Sequence, residues 1–264
     1  MLLNVDHVDA IYSTFSGTSR AASPVAKSSG KVFVYAAAAI SPATDNPIAF
    51  KSYLDYERGC CGIAETWKRS GVSSVGVLKA DSEFGELSER GILSVYPNAS
   101  SISYKLGEDV ATPALRFKTQ GIEAVANAGL EGDMVNMLKA FQRIEYAPRV
   151  GANEDIFTEK VRKEFADLMP KVRVFGMPRP DESFIKEVLA RDTKKEVQSF
   201  DSAGMAYLHI RQMYAAVSKC GTVQTECQAQ ALKNAVPDSK LGFEKWSADR
   251  RAIYRDTQYD LVKP

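Results

Sequence analysis

Short runs rich in β-branched and aromatic residues alternate with helix-length amphipathic segments along most of this chain, and that alternation limits its fold most. Residues 9–13 (DAIYS) read as a strand, followed by a Ser/Thr/Gly loop and a helix around 19–28. Residues 31–37 (KVFVYAA) form a second strand, and 38–55 a loop with two turns, at Ser41-Pro42 and Asn46-Pro47. Apolar positions at 56, 60, 63, 64 and 67 then carry the helical spacing over 56–69. Further strands are expected at 73–78, 101–106, 122–127, 149–151 and 171–176. Between them fall helices at 83–93, 113–118, 133–143, 154–168 and 181–190, with Pro170 just past the fourth as a stop signal. Beyond Asp192 the texture changes to helices at 201–218 and 225–234. The tail reads as a hairpin-like pair, 242–246 and 252–259, turning at Asp249, with Leu261 and Val262 after it.

Strands separated by helices imply parallel sheets covered by helices on both faces. Such sheets bind ligands outside the carboxyl ends of their strands. The loops after Ser13, Ala37, Ala80, Asn127 and Gly151 are therefore the places where a site is expected. The chain of 264 residues carries 34 Lys and Arg against 33 Asp and Glu, a formal charge of +1. That balance offers no electrostatic footprint for nucleic acid or an anionic membrane and points to a neutral or small partner. No stretch of about 18 apolar residues spans a bilayer. The opening MLLNVDHVDAIYSTF lacks the basic start and apolar run of a signal peptide.

Three loops could carry chemistry. In Ser13-Thr14-Phe15-Ser16-Gly17-Thr18-Ser19, hydroxyls and amides at a helix start suit a carboxylate or another anion, or serve simply as caps. The lysine of a P-loop and the glycine spacing of a nucleophile elbow are both missing there. In Tyr35–Thr44 the alanine run lets backbone approach a ligand closely, or packs tightly without one. In Lys79–Glu86, Asp81 could cap the next helix and Phe84 could wall a pocket. Four cysteines are present. Adjacent Cys60 and Cys61 do not suit a mutual disulfide. Cys220 and Cys227 flank a short loop and either bridge, which fits an oxidising compartment, or stay reduced. His7 and His209 belong to no cluster with metal-ligand spacing, and no metal or cofactor is expected.

The order of these segments resembles the type I periplasmic binding proteins, above all the branched-chain amino-acid receptors of ABC transporters. The loop I-x-x-x-x-S-x-x-[ST]-x-x-A is represented by Ile11, Ser16, Ser19 and Ala22, and D-x-x-[FY]-G by Asp81, Phe84 and Gly85. Residues 200–216 and the close LGFEKWSADRRAIYRDTQYDLVK are similar to that family's late helix and terminal segment. The resemblance implies two Rossmann-like lobes with parallel sheets: lobe 1 from 1–56 and 193–240, lobe 2 from 57–192 and 241–264. It further implies that the chain starts after the first strands of lobe 1, leaving that lobe incomplete and weakly stable.

Carried onto this sequence, the resemblance assigns Ser16 to a ligand carboxylate, helped by the amides of Gly17 and Thr18. Ala39 supplies a backbone group and Ile40 stands beside it, while Phe84 supplies a ring. The loop Gly129-Leu130-Glu131 lacks the aromatic often found there, and Glu154 is placed to meet a ligand amine. Ile40 and Phe84, where amino-acid receptors have Thr and Tyr, suggest a less polar ligand. The function implied is capture of an amino acid or related carboxylate or amide in an interlobe cleft, by hinge closure at 52–57, 192–200 and 234–241. The implied protein is a monomer outside the cytoplasm that delivers its solute to an ABC transporter permease and catalyses nothing. Two alternatives stay open: a ligand-sensing receptor domain of the same fold, and an α/β enzyme using carboxylates such as Asp81, Glu83 or Glu131.

Overall fold

A computed structural model describes residues 8–194, 197, 199–221, 224–255 and 258–260. His7, Leu261 and Val262 lie outside the described residues. The chain divides into two compact units: unit 1 is Met1–Leu54 with Met177–Asp256, and unit 2 is Asp55–Gly176 with Thr257–Pro264.

Unit 1 begins with β1 (Ala10–Thr14), α1 (Ser16–Ser28), β2 (Val32–Ala36), α2 (Ser41–Thr44) and β3 (Ala49–Lys51). Unit 2 follows with α3 (Tyr56–Arg69), β4 (Val75–Ala80), α4 (Glu83–Leu93), β5 (Ser100–Tyr104), α5 (Ala111–Thr119) and β6 (Ala124–Ala128). It continues through α6 (Glu131–Arg143), β7 (Arg149–Asn153), α7 (Glu159–Glu164) and β8 (Val172–Phe175). The chain returns to unit 1 as α8 (Glu182–Arg191), α9 (Phe200–Cys220), α10 (Thr225–Lys233), β9 (Phe243–Trp246) and β10 (Ala252–Tyr254). Finally β11 (Gln258–Asp260) joins unit 2.

The sheet of unit 1 has the order β1-β2-β3, all parallel, with Thr14 paired to Ala36 at the carboxyl end. Every residue of β2 is buried, and its side chains alternate between two cores as strand geometry requires. Val32, Val34 and Phe50 pack with Leu208, Met213, Leu232, Phe243 and Trp246. Phe33, Tyr35 and Ala49 pack on the other face with Ala26 and Ala43. Among the described residues β1 pairs with β2 alone.

Unit 2 has a six-stranded sheet in the order β11-β8-β7-β6-β4-β5, parallel except that β11 runs antiparallel to β8. Three of its helices, α3, α4 and α7, start at side-chain caps. Asp55 accepts a hydrogen bond from Arg58 N (3.1 Å) at α3, and Ser82 accepts one from Gly85 N (3.2 Å) at α4. The cap of α4 is thus Ser82 and not Asp81. At Gly151 a Cβ would collide with Ile63 and Trp67, so glycine is what lets α3 settle onto β7.

Several boundaries differ from expectation. The chain passes between units at 54/55, 176/177 and 256/257, and not at 56/57, 192/193 and 240/241. The reason is packing: Phe184 of α8 and Phe243 of β9 belong to the unit 1 core. Segments 192–200 and 234–241 therefore join elements inside unit 1, whereas 52–57 contains a true crossing. Of the expected tail pair, β9 and β10 form an antiparallel ribbon, but 258–260 leave it to pair with β8. The helix expected over 154–168 is a 3-10 turn at Glu154–Ile156, the short α7, and turns. The loop at 38–55 contains α2 and β3.

The first crossing is held by a buried cation. Lys51 is 1% exposed and donates from Nζ to the carbonyls of Tyr53 (2.7 Å) and Leu54 (2.6 Å). Ser52 donates from both N (2.8 Å) and its hydroxyl (3.0 Å) to Tyr35 O.

Candidate functional site

In each unit, parallel pairing aligns strand ends so that the following loops gather at one edge. In unit 1 these are the loops after β1 and β2. Phe15 is clamped by its backbone: its N–H donates to Ala36 O (3.1 Å) and its carbonyl accepts from Ser19 N (3.0 Å). That geometry forces φ 60° and ψ 148° on Phe15, a region that bulky residues avoid at a cost of about 1–3 kcal/mol. Its ring is nevertheless 78% exposed.

Phe15 is the N-cap of α1 and gives no side-chain cap, as with Ile40 at α2, Val110 at α5 and Gln224 at α10, whereas Asp55, Ser82, Thr158, Asp181 and Ser199 cap other helices. First-turn amides without a side-chain acceptor favour an anion, assisted by the helix dipole. Around Gly17 the space a Cβ would take is empty. Ser16 Oγ accepts from Ala39 N (3.2 Å), tying the two loops together. Thr18 turns its hydroxyl back onto Thr14 O and Phe15 O, so its side chain serves the turn. Ala39 is fully buried, and its carbonyl accepts from Tyr35 OH (3.1 Å). Ser16, Gly17, Thr18, Ala39 and Ile40 thus come together at one edge of unit 1.

In unit 2 the expected residues follow different strands: Phe84 after β4, Glu131 after β6 and Glu154 after β7. Phe84 sits at the first turn of α4, because a Cβ on Gly85 would collide with Ala80 O and the helix starts hard against the strand. Its ring lies 6.1 Å from Tyr56, which meets Phe175 edge-on at 5.3 Å. Asn153 donates from Nδ2 to Tyr56 OH (2.7 Å). Both acids have partners. Glu131 accepts from the Thr158 hydroxyl (2.9 Å), and Glu154 pairs with Arg162 (3.5 Å).

Sequence reasoning missed Tyr56, Phe175 and Tyr104. The loop Gly129-Leu130-Glu131 has no aromatic of its own, yet Tyr104 from β5 lies against it, so that a Cβ on Gly129 would collide with the phenol oxygen. Burial raises the Tyr104 phenol well above its ordinary pKa, with Asp133 adding to the effect. Asp133 itself accepts from Gly107 N (2.9 Å) and Leu130 N (2.8 Å), holding that loop to α6. Only pairing register brings Tyr104 here, through Ala80 opposite Tyr104 and Lys79 opposite Ala128.

Cys220 and Cys227 form a disulfide, with Cα atoms 5.7 Å apart. Among the described residues no group of three or more His, Cys, Asp or Glu side chains is arranged to hold a metal, and no helix is long and apolar enough to cross a membrane.

Residues 1–258 match the sequence pattern described as periplasmic binding protein. No curated protein matches the chain in sequence. Solved structures share the fold at low identity. A solute-binding protein of an ABC transporter from R. palustris, in complex with 4-hydroxybenzoate, superposes with a TM-score of 0.84 at 16% identity, over 100% of this chain and 77% of the other. A leucine-binding protein from Thermotoga maritima gives 0.81 at 11% identity, over 97% and 77%. A type 1 periplasmic binding protein from Bordetella pertussis gives 0.80 at 12%, over 99% and 80%. The α/β architecture with parallel sheets is therefore that of the type I periplasmic binding proteins.

Proposed function

The chain belongs to the periplasmic binding protein family, and from that premise we propose that it captures a small carboxylate-bearing solute outside the cytoplasm for an ABC transporter. The observation that carries this reading is the start of α1. Its first turn has no side-chain cap, open space lies over Gly17, and the Ser16 hydroxyl stands beside the Ala39 amide. A carboxylate placed there takes hydrogen bonds from the Ser16 hydroxyl and the amides of Gly17 and Thr18, where the helix dipole favours negative charge.

Capture requires only that the solute bind one arrangement of the protein with higher affinity than another. No proton transfer or nucleophile enters this mechanism; the protein acts by binding. A carboxylate is the group that leucine and the 4-hydroxybenzoate held by one similar structure have in common, which supports an anion anchor without choosing between the two kinds of solute.

Thermal-shift screening of the chain against amino acids, small carboxylates and amides tests the reading, because a ligand of the native state raises the melting temperature. Carboxylates are expected to raise it. Ser16→Ala is expected to weaken binding by about tenfold, the worth of one hydrogen bond to a charged group, and to lower the melt without ligand as well, because the buried Ala39 N–H loses its acceptor. Equal affinity in the variant removes Ser16 from the site.

A further inference from the structure

At the amino edge of the unit 2 sheet, β7 and β8 are each entered through a proline, a cation and a valine: Pro148-Arg149-Val150 and Pro170-Lys171-Val172. The two valines pair in parallel, and so do Gly151 and Arg173 one step on. Residues two apart along a strand share a face, so this register puts Arg149, Lys171 and Arg173 on one face of two neighbouring strands. It is the face that carries α3, where a Cβ on Gly151 would collide with Ile63 and Trp67. A cavity of about 790 Å³ opens there, lined by all three cations.

Like charges side by side on neighbouring strands repel, and the groups around these do not compensate them. Arg149 Nη1 donates to Ser70 Oγ (2.8 Å) and Lys171 Nζ to Ala147 O (2.8 Å), both neutral oxygens. Two carboxylates line the same cavity. Glu123 is close enough to Arg149 to feel its charge, but its oxygens take the Ser73 N–H (3.1 Å) and hydroxyl (2.7 Å). Asp260 pairs with Arg173 Nη1 (3.3 Å), whose Nε is buried with no partner among the described residues. Three cations thus face two engaged acids. A guanidinium has five donors and an ammonium three, so donors are left over for an anion.

We propose that this cavity binds a phosphate group, free or esterified on a small molecule or a lipid head. Guanidinium forks and an ammonium group recognise phosphate through charge-assisted hydrogen bonds. The volume is that of a small-molecule site and admits more than an inorganic ion. Arg149 and Asn153 stand at opposite ends of β7, about 13 Å apart at the rise of a strand, so the site is separate from the loops at the carboxyl ends.

Calorimetric titration of the full chain with inorganic phosphate and phenyl phosphate tests this, beside co-sedimentation with phosphatidylglycerol and phosphatidylcholine vesicles. Phenyl phosphate is expected to bind, and to bind less tightly as salt is added. An Arg149→Gln, Lys171→Gln double variant is expected to weaken it about tenfold without lowering the melting temperature, since two neighbouring like charges are removed. Lys171→Gln alone is expected to cost about threefold, which guards against a folding defect in the double variant. Lys163→Gln removes an exposed cation of α7 and should change nothing. Binding of the soluble phosphates makes the occupant a small molecule. Sedimentation with phosphatidylglycerol alone, lost in the double variant, makes it a lipid head. No binding in either arm overturns the proposal, as does binding that the double variant keeps or that Lys163→Gln weakens equally. Phosphate binding that Ser16→Ala abolishes and the double variant retains belongs to the start of α1; it overturns this site and leaves the solute reading standing.

Discussion

His209 is fully buried in unit 1, and burial lowers its pKa from the ordinary 6.5 to about 3. Tyr254 gives its proton to Ser52 O (2.7 Å) and lies 3.2 Å from His209 Nε2. His209 Nε2 therefore carries the hydrogen toward Tyr254, and Nδ1 is left buried without a partner. The Tyr12 and Trp246 rings cover the imidazole, so no carboxylate rewards its protonation. The sign of the pH effect follows. Below pH 6.5 the unfolded chain binds a proton at this residue and the native chain does not, so stability falls as pH drops from 6.5 toward 3. The slope approaches about 1.4 kcal/mol per pH unit. Between pH 7.5 and 5 the chain should lose about 2 kcal/mol in urea unfolding through this group. His209→Gln should remove that loss, whatever its effect on stability at pH 7.5. A variant with an unchanged pH dependence would show that His209 titrates normally.

At the scale of elements, the Cys220–Cys227 disulfide ties the end of α9 to the first turn of α10, around a loop of about eight residues. Loop-closure entropy for that length is worth about 2–3 kcal/mol in the unfolded state. A reductant should lower the unfolding midpoint of the chain and leave a Cys220→Ser, Cys227→Ser double variant unmoved. Burial pushes the pKa of the Cys60 thiol up to about 12, and Cys61 beside it is a second free, partly exposed thiol, so the double variant, which keeps both, is the control for them. Equal midpoints with and without reductant would show that the bridge adds nothing. Which elements were legible in the sequence depends on the same kind of local signal. The run KVFVYAA was readable as a buried strand because β2 faces two cores, and α3 because its apolar stripe is wide. β3 was not, since three residues behind Asn46-Pro47 become a strand only by pairing with β2. Nor was the fate of 258–260, whose alternation is equally suited to the ribbon they leave and the β8 edge they join. Among site residues, those next to the Ser/Gly loop were legible. Tyr104, Tyr56 and Phe175 were not, because register and helix packing bring them in from remote positions.

At the scale of the whole molecule, the two units differ in how their sheets are protected. Unit 2 has six strands, and a broad contiguous core that runs from Leu78 and Tyr104 through Phe117 and Phe141 to Phe165 and Val174. Among the described residues, unit 1 has a three-stranded sheet and the separate two-stranded β9–β10 ribbon, with buried residues packed on both faces of the sheet. Among the described residues β1 has one neighbour and only partly buried side chains, whereas β6 is buried throughout and paired on both sides. Opening free energies follow buried apolar contact and pairing, so the units should not exchange amide hydrogens alike. The expected order of protection is β1 weakest, β2 and β3 intermediate, and β4, β6 and β7 strongest. Hydrogen exchange read by mass spectrometry resolves that order peptide by peptide. A carboxylate bound at the first turn of α1 should then slow exchange in β1 and α1 first, because a ligand adds its binding free energy to every opening that destroys its site. Protection that rises instead only in unit 2 would place the anchor away from Ser16, and uniform protection across all the strands would show that the two units open as one.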